Sequence, residues 1–178
     1  MGAVKVTKLE AAQRQVNAAI RMLFDGYDAV AVHTVTAAAH QIVRDICRHR
    51  KDVESYLRFT DWIAPDHEKE FWGHVNRTAN FLKHADKDSE ATHEFEDKVA
   101  EFQLLFCCVW LRDLGAADSF EVKTYLIWLA LCRPNILKAS KEGHFGELIL
   151  PADVSTWPRG QQLELGRNVL KKWQNPSA

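Results

Sequence analysis

AVAVHTVTAAAHQIVRDICR, residues 29–48, is the stretch around which the chain is organised. One set of its positions follows the helical period at i, i+4, i+7 and i+11: His33, Ala37, His40 and Arg44. At about 100° per residue, these positions share one face of a helix. Residues 36–39 are all small, so a neighbouring helix can approach closely. The stretch therefore predicts a long, central helix with one polar face.

A second long helix is predicted for residues 65–84, PDHEKEFWGHVNRTANFLKH. Pro65 suits the first helical position, where the missing N–H would have no partner in any case. This helix also has a polar face, formed by Asn76, Arg77, Asn80 and His84. If the two polar faces meet, they form a cluster typical of a functional site.

The remaining sequence is helical almost throughout. Further helices are predicted for residues 6–24, from residue 89 or 92 to 114, for about 118–132 and for 161–173, with a short helix or turn at 52–62. Proline and glycine interrupt residues 134–160, which predicts an irregular segment there. The sequence shows no internal repeat and no interdomain linker. It therefore predicts an all-α fold, a single-domain bundle of about six helices over residues 1–178.

The composition narrows the class of protein. Hydrophobic residues make up 47% and charged residues 26% of the chain, as in globular domains. The net charge of −1 lacks the positive excess typical of tight nucleic-acid binding. The apolar runs are far shorter than the ~20 residues needed to span a membrane. We therefore expect a globular protein that has no membrane partner.

The four cysteines are Cys47, Cys107, Cys108 and Cys132, and none belongs to a CxxC pair. All four lie in apolar or helical surroundings. The N-terminal residues lack the apolar run of a signal peptide. We therefore expect reduced, buried thiols in a cytoplasmic protein.

The eight histidines do not form a metal-binding pattern on one helix. The pairs His33/His40 and His67/His74 are seven residues apart, which is ~10.5 Å along a helix axis and too far to share one ion. GxSxG and glycine-rich phosphate loops are also absent from the sequence. The sequence therefore predicts no metal and no cofactor. A metal-binding bundle remains an alternative, with single ligands from different helices: His33, His40, His74 and His84.

Two Arg/His pairs are the candidate catalytic residues. Arg77 and His84 lie seven residues apart, about 20° around a helix. Arginine can bind phosphate through two hydrogen bonds, and histidine can transfer a proton near neutral pH. The second pair, Arg44 and His49, lies about 140° apart on an ideal helix, so it converges only if the helix ends before His49.

Four other polar residues on these helices are candidate ligand-binding residues: His33, His40, Asn76 and Asn80. Asn76 and Asn80 lie beside the first Arg/His pair, where their amides suit hydrogen bonds to a base or a sugar. His33 and His40 complete the polar face of the first helix.

The spacing Arg77-TANFLK-His84, and likewise Arg44-DICR-His49, resembles the motif of the HEPN superfamily of small helical domains. Many members of that superfamily are metal-independent ribonucleases. The resemblance implies that the histidine assists proton transfer at a ribose hydroxyl and that the arginine holds the phosphate, usually across a dimer. AVHTVTAAAH followed by NFLKHADKD also resembles a group of uncharacterised bacterial all-helical proteins.

Three functions therefore remain open. The first is a binding or interaction module, dimeric because two helices are apolar all round. The second is a HEPN-like protein that acts on a nucleotide or RNA, which predicts that arginine and histidine converge at an open, positively charged groove. The third is the metal-binding bundle. The first function predicts that the buried histidines are fully hydrogen-bonded, with no cavity beside them.

Overall fold

The computed structural model describes residues 3–61, 65–86, 88–116, 118–134 and 153–174. Within these ranges the chain forms seven α-helices and no strand. The helices are α1 (Lys8–Phe24), α2 (Ala29–Arg50), α3 (Glu54–Thr60), α4 (Glu68–Phe81), α5 (Lys98–Asp113), α6 (Phe120–Cys132) and α7 (Arg159–Gln174). Two short 3₁₀ turns lie at Pro65–His67 and Val154–Thr156. The predicted all-α bundle of about six helices is confirmed.

The chain folds into two compact units. The first unit lies within residues 1–19 and 28–117, and the second within residues 20–27 and 118–178. The single-domain organisation stays a prediction. Most of the predicted irregular segment, 134–160, lies outside the described residues.

In the first unit, α2 is the central helix, as its sequence predicts. The Asp28 carboxylate caps its first turn by accepting a hydrogen bond of 2.9 Å from the Val30 N–H. α2 packs most extensively on α5 and also contacts α4, while α3 packs on α5. Trp110 of α5 lies at the centre of an aromatic cluster, with ring centroids 5.1 Å from Tyr56 and 5.7 Å from Phe59. These contacts hold α2, α3, α4 and α5 around one core.

In the second unit, α7 and the turn Val154–Thr156 pack on the apolar helix α6. The indole N–H of Trp128 donates a 2.6 Å hydrogen bond to the Gln162 carbonyl. Gly166 lies against the ring of Phe24, where an added Cβ would be 2.4 Å from a ring carbon. A side chain at this position would therefore clash with the ring.

Two predicted helix ends differ from the structure, and both differences shape the candidate site. α4 ends at Phe81, and the chain continues in a tighter turn in which the Lys83 and His84 N–H groups both bond the Asn80 carbonyl. α5 begins at Lys98 and not at residue 89 or 92. The residues before it are not helical because His93 and Phe95 turn inward to contact α4 and α2.

Candidate functional site

The exposed face of α4 and the loop that follows it form an open groove of about 700 Å³. Its walls come from the last two turns of α4 and from the chain between α4 and α5. Its lining residues are Gly73, Arg77, Asn80, Phe81, His84, Asp86, Asp88 and His93. We call this site the α4 groove. Its volume lies within the 300–1,000 Å³ typical of small-molecule sites.

The α4 groove brings together three of the residues that the sequence singles out. Arg77, Asn80 and His84 line it, and all three are exposed. Arg77 and His84 stay on one side of the helix although His84 lies beyond the end of α4, because the final turn still bonds the Asn80 carbonyl. Asn76 is half-buried and does not line the groove.

The sequence pattern does not single out the other five lining residues: Gly73, Phe81, Asp86, Asp88 and His93. His93 is held in place by a 2.8 Å hydrogen bond between its Nε2 atom and the Thr78 hydroxyl, and by ring contact with Phe81 at 5.1 Å. Asp86, Asp88 and His93 lie outside the helices, so helical periodicity does not identify them. The polar run at 85–90, directly after a polar helix end, is the signal that could have revealed Asp86 and Asp88.

The charges of the α4 groove are mixed. Arg77 forms no hydrogen bond or ion pair with any other described residue, so its guanidinium is available to a ligand. Asp86 and Asp88 also line the groove and are exposed. The described lining residues therefore carry one arginine against two carboxylates. This differs from the positively charged groove expected for a HEPN-like protein.

The polar face of α2 lies in a different environment. His33, His40 and Arg44 are 0%, 2% and 7% exposed, and none of them lines the α4 groove. The two polar faces therefore do not form one site. Both ring nitrogens of His33, and the Nε and Nη1 atoms of Arg44, lack a hydrogen-bond partner among the described residues. The expectation that the buried histidines are fully hydrogen-bonded is therefore wrong for His33 within the described part of the chain.

Burial keeps the two α2 histidines neutral near pH 7. It lowers the pKa of His33 to about 4, with smaller contributions from the charges of Lys83 and His93. Burial, together with a smaller contribution from the neighbouring Arg44 guanidinium, also lowers the pKa of His40 to about 4. Neither histidine can serve as a proton acceptor for a ligand in the α4 groove, because neither reaches it.

The second Arg/His pair does not converge. α2 continues through His49 to Arg50, so the side chains of Arg44 and His49 leave the helix about 140° apart. Arg44 is buried with its guanidinium 4.5 Å from the Trp72 ring centroid, whereas His49 is exposed. The structure therefore leaves Arg77 and His84 as the Arg/His pair that shares one site.

No group of three or more His, Cys, Asp or Glu side chains within the described ranges could hold a metal ion. In particular, His33 and His40 are buried in the core. His74 is exposed, and its Nε2 atom lies 3.9 Å from Oε1 of Glu70.

All four cysteines are buried, and none of them forms a disulfide bond with another described residue. Burial raises the pKa of the Cys47 thiol to about 12 and raises those of Cys107 and Cys108 as well. Because the thiolate is the reactive form, these raised pKa values make the three thiols poor nucleophiles.

Comparisons with known proteins give no match: no protein family, curated protein or solved structure is significantly similar to this chain. Within the described residues, none of the helices is both long and apolar enough to cross a membrane.

Proposed function

We propose that this protein is a binding module whose α4 groove takes a mononucleotide. The observation that carries this proposal is the combination of groups along one groove of about 700 Å³: an arginine that has no partner among the described residues, an amide, an aromatic ring and two carboxylates. Each group suits a different part of a nucleotide. Arginine is the side chain best suited to a phosphate, because its planar fork donates two parallel hydrogen bonds.

The remaining groove residues suit the sugar and the base. Asp86 and Asp88 can accept hydrogen bonds from the ribose hydroxyls, a role that acidic residues fill in dinucleotide-binding folds. Phe81 offers a ring face for stacking, and the Asn80 amide can both donate to and accept from a base edge. The two carboxylates also disfavour a long polyanion, so a single nucleotide suits the groove better than an RNA strand.

Calorimetric titration with AMP, adenosine and inorganic phosphate, all in EDTA, tests this proposal. We expect AMP to bind more tightly than either fragment. Arg77→Gln removes a charge-assisted hydrogen bond worth about 1.5–3 kcal/mol, so AMP should bind roughly 10- to 100-fold more weakly. Adenosine binding should not change. Arg48→Gln, which alters an exposed arginine of α2 outside the groove, is the matched control.

The result that contradicts this proposal is either no AMP binding at millimolar concentration or an equal loss in the two arginine variants.

A second candidate function is metal-independent RNA cleavage. The observation that favours it is that two histidines, His84 and His93, line the same groove as Arg77. One imidazole can remove a proton from a ribose hydroxyl while the other protonates the leaving oxygen, and the arginine stabilises the phosphate charge. The HEPN resemblance implies the same roles for one histidine and one arginine, and this candidate mechanism adds a second histidine.

RNA cleavage by the purified protein in EDTA tests this candidate. His84→Ala and His93→Ala should each reduce cleavage by about 10²–10⁴-fold, the usual contribution of one general acid or base. His49→Ala is the matched control, because His49 is exposed and lies outside the groove. AMP binding without cleavage of RNA would reject this candidate and keep the binding module.

We also propose that the protein is a homodimer in the cytoplasm. Phe120 and Trp173 stack with ring centroids 5.4 Å apart while 49% and 50% of their surfaces stay exposed, which supports a second copy covering them. The four buried thiols, which form no disulfide bond, support a reducing compartment. Light scattering after size exclusion should give twice the chain mass for the native protein and a smaller mass for Trp173→Ser. A native protein of single chain mass would contradict the dimer.

A further inference from the structure

Two aromatic rings lie side by side in the wall of the α4 groove. The rings of Phe81 and His93 have centroids 5.1 Å apart and an interplanar angle of 32°. Both residues line the groove and both are half-buried, so each ring keeps part of its surface open to a ligand. The two rings therefore form one aromatic surface that is wider than a single ring. We call this surface the ring pair.

A hydrogen bond fixes the His93 half of the ring pair. His93 lies in a stretch without regular secondary structure, so its ring is positioned by its contacts and not by a helix of its own. Its Nε2 atom lies 2.8 Å from the hydroxyl oxygen of Thr78, which precedes Phe81 by almost one turn of α4. One helix therefore holds both rings: Phe81 directly, and His93 through Thr78.

The ring pair lies at a suitable distance from Arg77 for the two ends of a nucleotide. Arg77 and Phe81 are four residues apart on α4, which places them about 40° apart around the helix and about 6 Å apart along its axis. In a mononucleotide, one ribose separates the phosphate from the base. A phosphate bound to Arg77 therefore leaves the base within reach of Phe81 and His93.

The width of the ring pair favours a base with two rings. Stacking on aromatic side chains stabilises bound bases, and its strength differs from base to base. A purine has two fused rings and can overlap both Phe81 and His93, whereas a single-ring pyrimidine overlaps a smaller part of the pair. We infer that the α4 groove selects purine mononucleotides, with the base stacked on the ring pair and with Thr78 as a positioning residue for His93. This inference rests on the nucleotide binding proposed above for the same groove.

Calorimetric titration of the full chain with AMP, CMP and ribose 5-phosphate, all in EDTA, tests the base preference. We expect AMP to bind about tenfold more tightly than CMP, and ribose 5-phosphate, which has no base, to bind most weakly. His93→Ala should weaken AMP about tenfold, reduce the difference between AMP and CMP, and leave ribose 5-phosphate unchanged. His49→Ala, which alters an exposed histidine outside the groove, is the control that should change none of the three affinities.

The pair of variants Thr78→Val and Thr78→Ser tests the positioning role. Valine keeps the shape of threonine but removes the hydroxyl, so AMP should bind about threefold more weakly while ribose 5-phosphate binds as before. Serine keeps the hydroxyl and should restore the affinity for AMP. Thr78→Val also takes the place of His93→Ala if circular dichroism shows that the histidine variant does not fold.

The fluorescence of 2-aminopurine riboside 5′-monophosphate reports stacking directly, because stacking quenches this base. The bound nucleotide should be quenched by the native protein and less quenched by Thr78→Val at saturating protein.

The inference and the proposed function fail in different ways. Equal affinities for AMP and CMP, or an unquenched 2-aminopurine base in the bound state, would overturn the purine assignment and leave nucleotide binding in place. Equal weakening of AMP and ribose 5-phosphate by His93→Ala would also overturn it, because the histidine would then hold the groove in shape and not the base. No binding of AMP at millimolar concentration would overturn both the inference and the proposed function.

Discussion

The polar faces of α2 and α4 look alike in sequence, but they lie in opposite environments. His33, His40 and Arg44 of α2 are buried, and several of their nitrogen atoms have no partner among the described residues. Arg77 and Asn80 of α4 are exposed and line an open groove. A polar face on a helix can therefore belong to the core or to a ligand site, and only the residues packed against it decide between the two.

The difference between these faces arises from their neighbours. The face of α2 is covered by large rings: Phe95 contacts His33 at 5.6 Å, and Trp110 contacts His40 at 5.5 Å between ring centroids. The face of α4 is bordered by a polar loop that is held through the bond between Thr78 and His93. Stability should therefore depend on the α2 face, and ligand binding on the α4 face.

The largest expected effect is the loss of stability in acid. Burial holds the pKa of His33 and of His40 at about 4, below the value of about 6.5 in an unfolded chain. Between these values the unfolded chain binds more protons, so the free energy of unfolding falls as the pH drops from 6.5 to 4. Each histidine can contribute roughly 3 kcal/mol to this loss.

Urea unfolding across pH 4–7 measures this effect, and His33→Leu separates it from the titration of carboxylates. Between pH 6.5 and pH 4, the free energy of unfolding of the variant should fall by about 3 kcal/mol less than that of the native protein. His74→Leu, which alters an exposed histidine of α4, should follow the native curve. Parallel curves for all three proteins would show that His33 is not buried as a neutral imidazole.

The second-largest effect on stability is expected at pH 7, where the position of interest is again His33. His33→Leu replaces two buried nitrogen atoms that lack partners among the described residues, so it should raise the free energy of unfolding by about 1 kcal/mol. His84→Leu in the α4 groove should change it by less than about 0.5 kcal/mol, as is usual at exposed positions. Chemical denaturation measures both values. A destabilised His33→Leu would indicate that the imidazole has partners outside the described residues.

The sequence predicts much of the fold because helical periodicity is a local property. It identifies α2, and it places His33, His40 and Arg44 on one face. It does not reveal that this face is buried, because burial depends on Phe95 and Trp110, which are distant in the chain.

The candidate site is harder to predict than the fold. Helical periodicity predicts that Arg77, Asn80 and His84 share a face, because they lie on one side of α4 and its final turn. It does not predict the positions of Asp86, Asp88 and His93, because a loop has no period and its path depends on individual contacts such as the bond from Thr78 to His93. The same contact explains why α5 begins later than its apolar pattern suggests.

A smaller effect on stability is expected from the N-terminal caps of α2 and α4. Asp28 caps α2 with its side chain, whereas His67 at the start of α4 makes no such hydrogen bond. Asp28→Ala should therefore lower the free energy of unfolding by about 1 kcal/mol. His67→Ala should lower it by less than about 0.5 kcal/mol, because its contact with Glu70 at 3.7 Å is exposed. Equal losses in the two variants would contradict the assignment of the caps.

The smallest expected change in stability belongs to Arg77, the residue on which the proposed function depends most. Arg77→Gln should leave the free energy of unfolding within about 0.5 kcal/mol of the native value, because the guanidinium is exposed and has no partner among the described residues. A thermal or urea unfolding curve beside the AMP titration measures both properties on one sample. Unchanged stability with weakened AMP binding would indicate that Arg77 contacts the ligand and does not stabilise the fold. A loss of more than about 1 kcal/mol would instead mean that Arg77 holds the loop in place, and weaker binding could then follow from a collapsed groove.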